Sequence, residues 1–105
     1  MTTLLVHPEA LLDIRDAFAF YEHARPGLGD EFVDFVYSLI GSIRVRPNIG
    51  APTNHRSSHG RVRRRLLNRF PYSIIYVVYD ASDTIEIVAV AHGKRRPGYW
   101  ADRAP

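Results

Sequence analysis

The segment Tyr72–Tyr79 constrains this chain more than any other. Read with the two-residue period of a strand, Tyr72, Ile74, Tyr76 and Val78 fall on one face and Ile75, Val77 and Tyr79 on the other. A strand that is apolar on both faces has to be covered on both, so it belongs at the centre of a sheet. Pro71 holds Phe70 extended just before it. The turn residues Asp80-Ala-Ser-Asp83 follow, and Thr84–Ala91 returns with Ile85, Ile87, Ala89 and Ala91 on one side. Upstream, Arg61–Phe70 alternates as well. Val62, Leu66 and Phe70 share a face with Arg64 and Asn68, while Arg61, Arg63, Arg65 and Arg69 share the other with Leu67. These three segments form an antiparallel meander.

The first part of the chain supplies cover for it. Thr2–Val6 reads as a strand that joins an edge of the sheet. Pro8 suits the first position of a helix and Glu9 suits its positive end. Leu11, Ile14, Phe18 and Tyr21 then recur at helical spacing, with Asp13, Arg15, Asp16 and Glu22 opposite, so a helix is expected over Pro8–Ala24. Arg25-Pro-Gly-Leu-Gly-Asp30 stops and restarts the chain. Phe32, Phe35, Val36, Leu39, Ile40 and Ile43 mark a second helix, which Arg44, Arg46 and Pro47 close. Phe18, Tyr21, Phe32, Phe35 and Leu39 are the expected core of this helical hairpin, and Tyr76 the core residue facing it. Asn48–Gly60 is a loop. Its His55 and His59 stand four apart, but with no helix to align them and no carboxylate or cysteine nearby they make no metal site. The fold class is therefore α+β, a single domain over residues 1–105 with an N-terminal strand and a helical hairpin packed on a small antiparallel sheet.

The chain contains no cysteine, no apolar run long enough for a membrane span and no signal-peptide pattern at its start, so a soluble cytoplasmic protein is expected. The net charge is +3, but it is unevenly spread. In residues 1–40 two arginines against seven carboxylates leave −5, and in residues 41–105 twelve basic residues against four carboxylates leave +8. Alternate strand positions repeat about every 6.6 Å, so Arg61, Arg63, Arg65 and Arg69 would repel one another unless something anionic answers them. That answer is either the carboxylates of the first half or an anionic partner.

Three phrases point to a family. They are Pro26-Gly-Leu-Gly29 before Phe32, the run Arg64-Arg65-Leu66-Leu67 continuing through Arg69-Phe70-Pro71-Tyr72 to Ile74 and Tyr76, and Val88-Ala-Val-Ala-His92 continuing to Arg95, Pro97 and Trp100. In this order and at these distances they resemble the RelE/ParE toxin superfamily, and within it the ParE-like, plasmid-stabilisation branch. The resemblance implies a toxin of a type II toxin–antitoxin pair with the fold outlined above. It also implies a hetero-oligomer with a cognate protein antitoxin, which neutralises the toxin, and no cofactor or metal. ParE-like members poison DNA gyrase, and RelE-like members cut mRNA on the ribosome.

The two branches require different residues. Metal-free RNA cleavage needs a base, a cation and an acid. Arginines are plentiful, but Lys94 is the only lysine and no Asp or Glu occurs between residues 41 and 79. A nuclease site would have to be drawn from Arg65, His92, Arg95 and Tyr99. Inhibition by binding needs only a surface, and Arg61, Arg63, Arg65, Arg69, Lys94, Arg95, Arg96, Tyr99 and Trp100 are the expected anion or target contacts. The reading is thus a ParE-like gyrase inhibitor. A RelE-like ribosome-dependent nuclease and a non-enzymatic nucleic-acid-binding module are the alternatives.

Overall fold

The computed structural model describes residues 1–57 and 60–104. His59 lies outside them. The chain runs β1 (Thr3–Val6), α1 (Pro8–Ala24), α2 (Leu28–Val45), β2 (Ala51–Pro52), β3 (Arg61–Leu66), β4 (Tyr72–Tyr79) and β5 (Thr84–His92). These strands form one sheet in the order β1-β5-β4-β3-β2. The meander is antiparallel, as expected, and β4 lies at its centre. The N-terminal strand joins it parallel to β5, so the sheet as a whole is mixed.

Both helices lie where the sequence places them. His7 caps α1 by accepting the Glu9 amide on Nδ1 at 3.1 Å, and Pro8 opens the first turn. The break between the helices is built on Glu22, whose carboxylate accepts the amides of Gly27 and Gly29, each at 2.9 Å, and so satisfies the exposed start of α2. Gly27 takes the left-handed conformation at φ 91° that this turn needs. At Gly29 the two helices come so close that a Cβ would sit 2.8 Å from the Phe18 carbonyl oxygen.

The helices cover one face of the sheet. Ala10, Ile14 and Ala17 of α1 and Phe32, Val36, Ile40 and Ile43 of α2 pack on Ile74, Tyr76, Val78, Ile85 and Ile87. Around them Tyr21, Phe32, Phe70 and Tyr72 meet edge to face, with ring centroids 4.9 to 6.2 Å apart. Leu11 is on the predicted apolar face but is exposed. The opposite face of the sheet carries a second cluster of Val62, Ile75, Val77, Val88, Ala89, Trp100 and Ala104. The final residues supply its lid.

Two expectations about the strands are corrected. The strand expected over Arg61–Phe70 ends at Leu66. Leu67 then donates to the Tyr72 carbonyl and turns into the buried set, while Leu66 is left 73% exposed. Arg69 lies in the turn at φ 77°, outside the strand's alternation. The second correction concerns β5. Its partners jump from Ile75↔Ala89 to Tyr76↔Ile87, which leaves Val88 as an extra residue in a bulge. The bulge reverses the alternation, so Ile85 and Ile87 face the helices while Val88 and Ala89 face the other way.

Candidate functional site

The face of the sheet opposite the helices holds a cleft of about 570 Å³. Ser73 and Ile75 of β4 and Ala91 of β5 line it, together with Thr53 and His55 from the loop after β2. Arg64 enters from β3, and His92, Arg95, Arg96, Tyr99 and Trp100 enter from the end of β5 and the tail. No carboxylate is among the described residues that line it. The cleft therefore combines an apolar floor with cationic walls, an environment that suits an anionic partner.

Tail geometry follows from a few contacts. His92 accepts the Lys94 amide on Nδ1 at 2.9 Å, and its ring stands edge-on to Tyr72 at 5.0 Å. Arg95 lies over the Tyr99 ring at 4.0 Å and Arg103 at 5.1 Å. The Tyr99 hydroxyl donates to Asp13 of α1 at 3.3 Å. Burial, and then the Asp13 charge, push the Tyr99 hydroxyl up to about 12. Asp13 was expected on the exposed face of its helix, yet it reaches past the sheet edge. There it accepts the Val90 amide at 3.0 Å and pairs with Arg103 at 2.7 Å. Burial works against the Arg103 charge, but the hydrogen bond and charge of Asp13 outweigh it and its pKa lies above the usual arginine value. His55 packs its ring edge against Trp100 at 5.3 Å, and its buried Nε2 has no hydrogen-bond partner.

The expected row of arginines does not form one surface. Arg61, Arg63 and Arg65 stand opposite Val78, Tyr76 and Ile74, so they share the helix-facing side of the sheet. Arg61 forks onto both Asp80 oxygens at 2.9 and 3.0 Å and also donates to Asn48. Arg63 donates to the carbonyls of Asn48 and Gly50 and so ties down the loop after α2. Arg69 pairs with Glu31 at 2.7 Å and lies over the rings of Phe35 and Phe70. Three of the four are thus answered within the chain, although Asp80 and backbone carbonyls do as much of this as the helix carboxylates. Arg65 lies in a separate groove with Ser38, Ser42, Val45, Arg46 and Ile49.

The structure therefore brings His92, Arg95 and Tyr99 together and puts Arg65 on the other side of the sheet. Lys94, Arg95 and Arg96 are exposed, whereas Trp100 is only 7% exposed and packs as core. Arg64 was missed as a site residue because it alternates with Val62 and so reads as the inward face of its strand. The available signal was that the sheet has two sides and the helices cover only one.

The architecture is a helical hairpin on a sheet whose far face carries a basic tail. A chain of the chromosomal ParDE TA system from P. aeruginosa shares it at TM-score 0.71, with 20% identity over 88% of this chain and 96% of that one. The isolated RelE toxin of E. coli shares it at TM-score 0.64, with 17% identity over 94% of this chain and 92% of that one. No curated protein matches in sequence. The profile of the ParE toxin of type II toxin–antitoxin systems, parDE, matches residues 4–97, and this chain belongs to that family. It is the toxin component of a type II system, whose toxins pair with a protein antitoxin.

Proposed function

We propose that this toxin inhibits DNA gyrase by binding, with the tail Lys94–Tyr99 and Arg64 as its contact surface. The observation that carries this reading is the cleft, which gathers cations while the set Arg65, His92, Arg95 and Tyr99 is not assembled in full. No carboxylate is among its described lining residues. Tyr99, at about 12 and donating to Asp13, is a poor proton-transfer group near neutrality. The Nδ1 of His92 is engaged by Lys94, and Arg65, the cation expected beside them, is elsewhere. Membership of the ParE family supports the same target. No helix among the described residues is long and apolar enough to cross a membrane, and a cytoplasmic toxin fits an intracellular target.

In a supercoiling assay with purified gyrase, the wild-type protein is expected to inhibit and Arg95→Ala to inhibit at least about tenfold less. Such a loss corresponds to Arg95 acting as a hot spot of the interface, where truncation costs a binder about 2 kcal/mol or more. Normal supercoiling in excess toxin would end this reading. Cleavage of ribosome-bound mRNA would replace it with the RelE-like one. Inhibition that follows DNA concentration in gyrase-free topology assays would indicate the nucleic-acid-binding alternative.

A further inference from the structure

We propose that Asp13 and Arg103 are positioning residues for the toxic tail, acting together as a substitute strand on the open half of the β5 edge. The proposal rests on the reading that the tail carries the toxic contact. β1 accompanies β5 only from Thr84 to Ile87, and β5 continues to His92. Beyond Ile87 no strand among the described residues lies beside this edge, and its outward amides and carbonyls need partners.

Two side chains from opposite ends of the sequence supply them. Asp13 Oδ2 accepts the Val90 amide at 3.0 Å, as a neighbouring carbonyl would. Arg103 donates to the carbonyl of Val88, the bulged residue, at 3.1 Å, as a neighbouring amide would. The two are joined to each other at 2.7 Å, and their side chains are only 14% and 10% exposed. The polarity matters, because the carboxylate stands at the donor of the edge and the guanidinium at its acceptor.

From this pair a line of contacts runs to the cleft. Asp13 accepts the Tyr99 hydroxyl, Arg103 lies against the Tyr99 ring, and the same ring supports Arg95. Arg95 is exposed and lines the cleft, whereas Asp13 and Arg103 do not line it. They are placed to act on a target through Tyr99 and Arg95 without touching it. Removing Arg103 leaves Asp13 charged and nearly covered without its ion pair, and removing Asp13 leaves Arg103 only the longer pair with Glu9 at 3.5 Å. The tail is then expected to lift, while the helix-side core, which contains neither residue, stays formed.

The chain has a single tryptophan, and Trp100 lies in this tail with 7% of its surface exposed, so its quenching reports tail position directly. Asp13→Asn should make Trp100 more accessible to acrylamide and reduce growth inhibition at matched expression about tenfold or more, with the far-ultraviolet helical signal unchanged. Arg103→Lys keeps the charge but loses the fork, and should have a smaller effect of the same kind. Reversing the pair, Asp13→Arg with Arg103→Asp, should not restore shielding or toxicity, because each charge would then meet the wrong backbone group. Restoration would overturn the proposal by showing that a simple ion pair suffices. A shielded Trp100 in Asp13→Asn would overturn it too. Lifted Trp100 with full toxicity would overturn it where Arg95→Ala is inactive. If Arg95→Ala is itself fully toxic, the tail reading fails instead, and the quenching data still judge the latch.

Discussion

At the scale of single residues, most of the surprises are polar groups serving as structure. Tyr76 is fully buried, as its place in the central strand demands, but its hydroxyl has two jobs. It donates to the Pro47 carbonyl at 2.7 Å and accepts the Gly50 amide at 3.1 Å, fastening the loop after α2 to the sheet. A Cβ at Gly50 would collide with that hydroxyl. Tyr76→Phe keeps the ring and strands both loop groups, so chemical denaturation should show a loss of about 1–3 kcal/mol. Arg64→Ala is the opposite case. The side chain is exposed and has no hydrogen bond or ion pair among the described residues, so stability should change by less than about 0.5 kcal/mol while gyrase inhibition falls. Burial of Tyr76 was legible in the sequence because apolar alternation reports it. The bonds of its hydroxyl, and the free state of Arg64, depend on residues far away in the chain.

At the scale of elements, helix limits were legible because their signals are local: Pro8, the Pro26-Gly27 break and Pro47. The end of β3 and the bulge in β5 were not. A run such as Thr84–His92 alternates acceptably in either phase, and only packing against β4 reveals that Val88 is extra. The helix–helix contact is the other feature decided by packing. Because a Cβ there would meet the Phe18 carbonyl oxygen at 2.8 Å, Gly29→Ala should push α1 and α2 apart. Its cost is expected at about 1–3 kcal/mol, read as a lower thermal midpoint with the helical signal retained.

At the scale of the whole molecule, the acidic first half and basic second half meet in a few ion pairs. Glu31 of α2 takes Arg69 at 2.7 Å and Arg25 at 2.9 Å, and these hydrogen bonds hold its carboxyl below the usual glutamate value, the Arg69 bond most of all. Arg61 lowers Asp80 in the same way. A carboxylate with a depressed folded pKa adds stability above its unfolded pKa of about 4, and that stability is lost as pH falls through the lower folded value. The urea midpoint should therefore be flat near neutrality and drop in acid, and Glu31→Gln should reduce that drop. Of the basic charge that remains, Arg64, Lys94, Arg95 and Arg96 lie on the open face and tail, and Arg46 and Arg65 share a groove on the other side.

The sequence by itself determined the two helices, the central strand, the meander and the superfamily, because period, turn residues and short motifs act over a few positions. Only the tertiary structure decided which arginines are spoken for, which face of β3 the helices leave open, and that Asp13 and Arg103 bond to one sheet edge. Those outcomes depend on hydrogen bonds between residues as many as 90 positions apart, and no local pattern encodes such a distance.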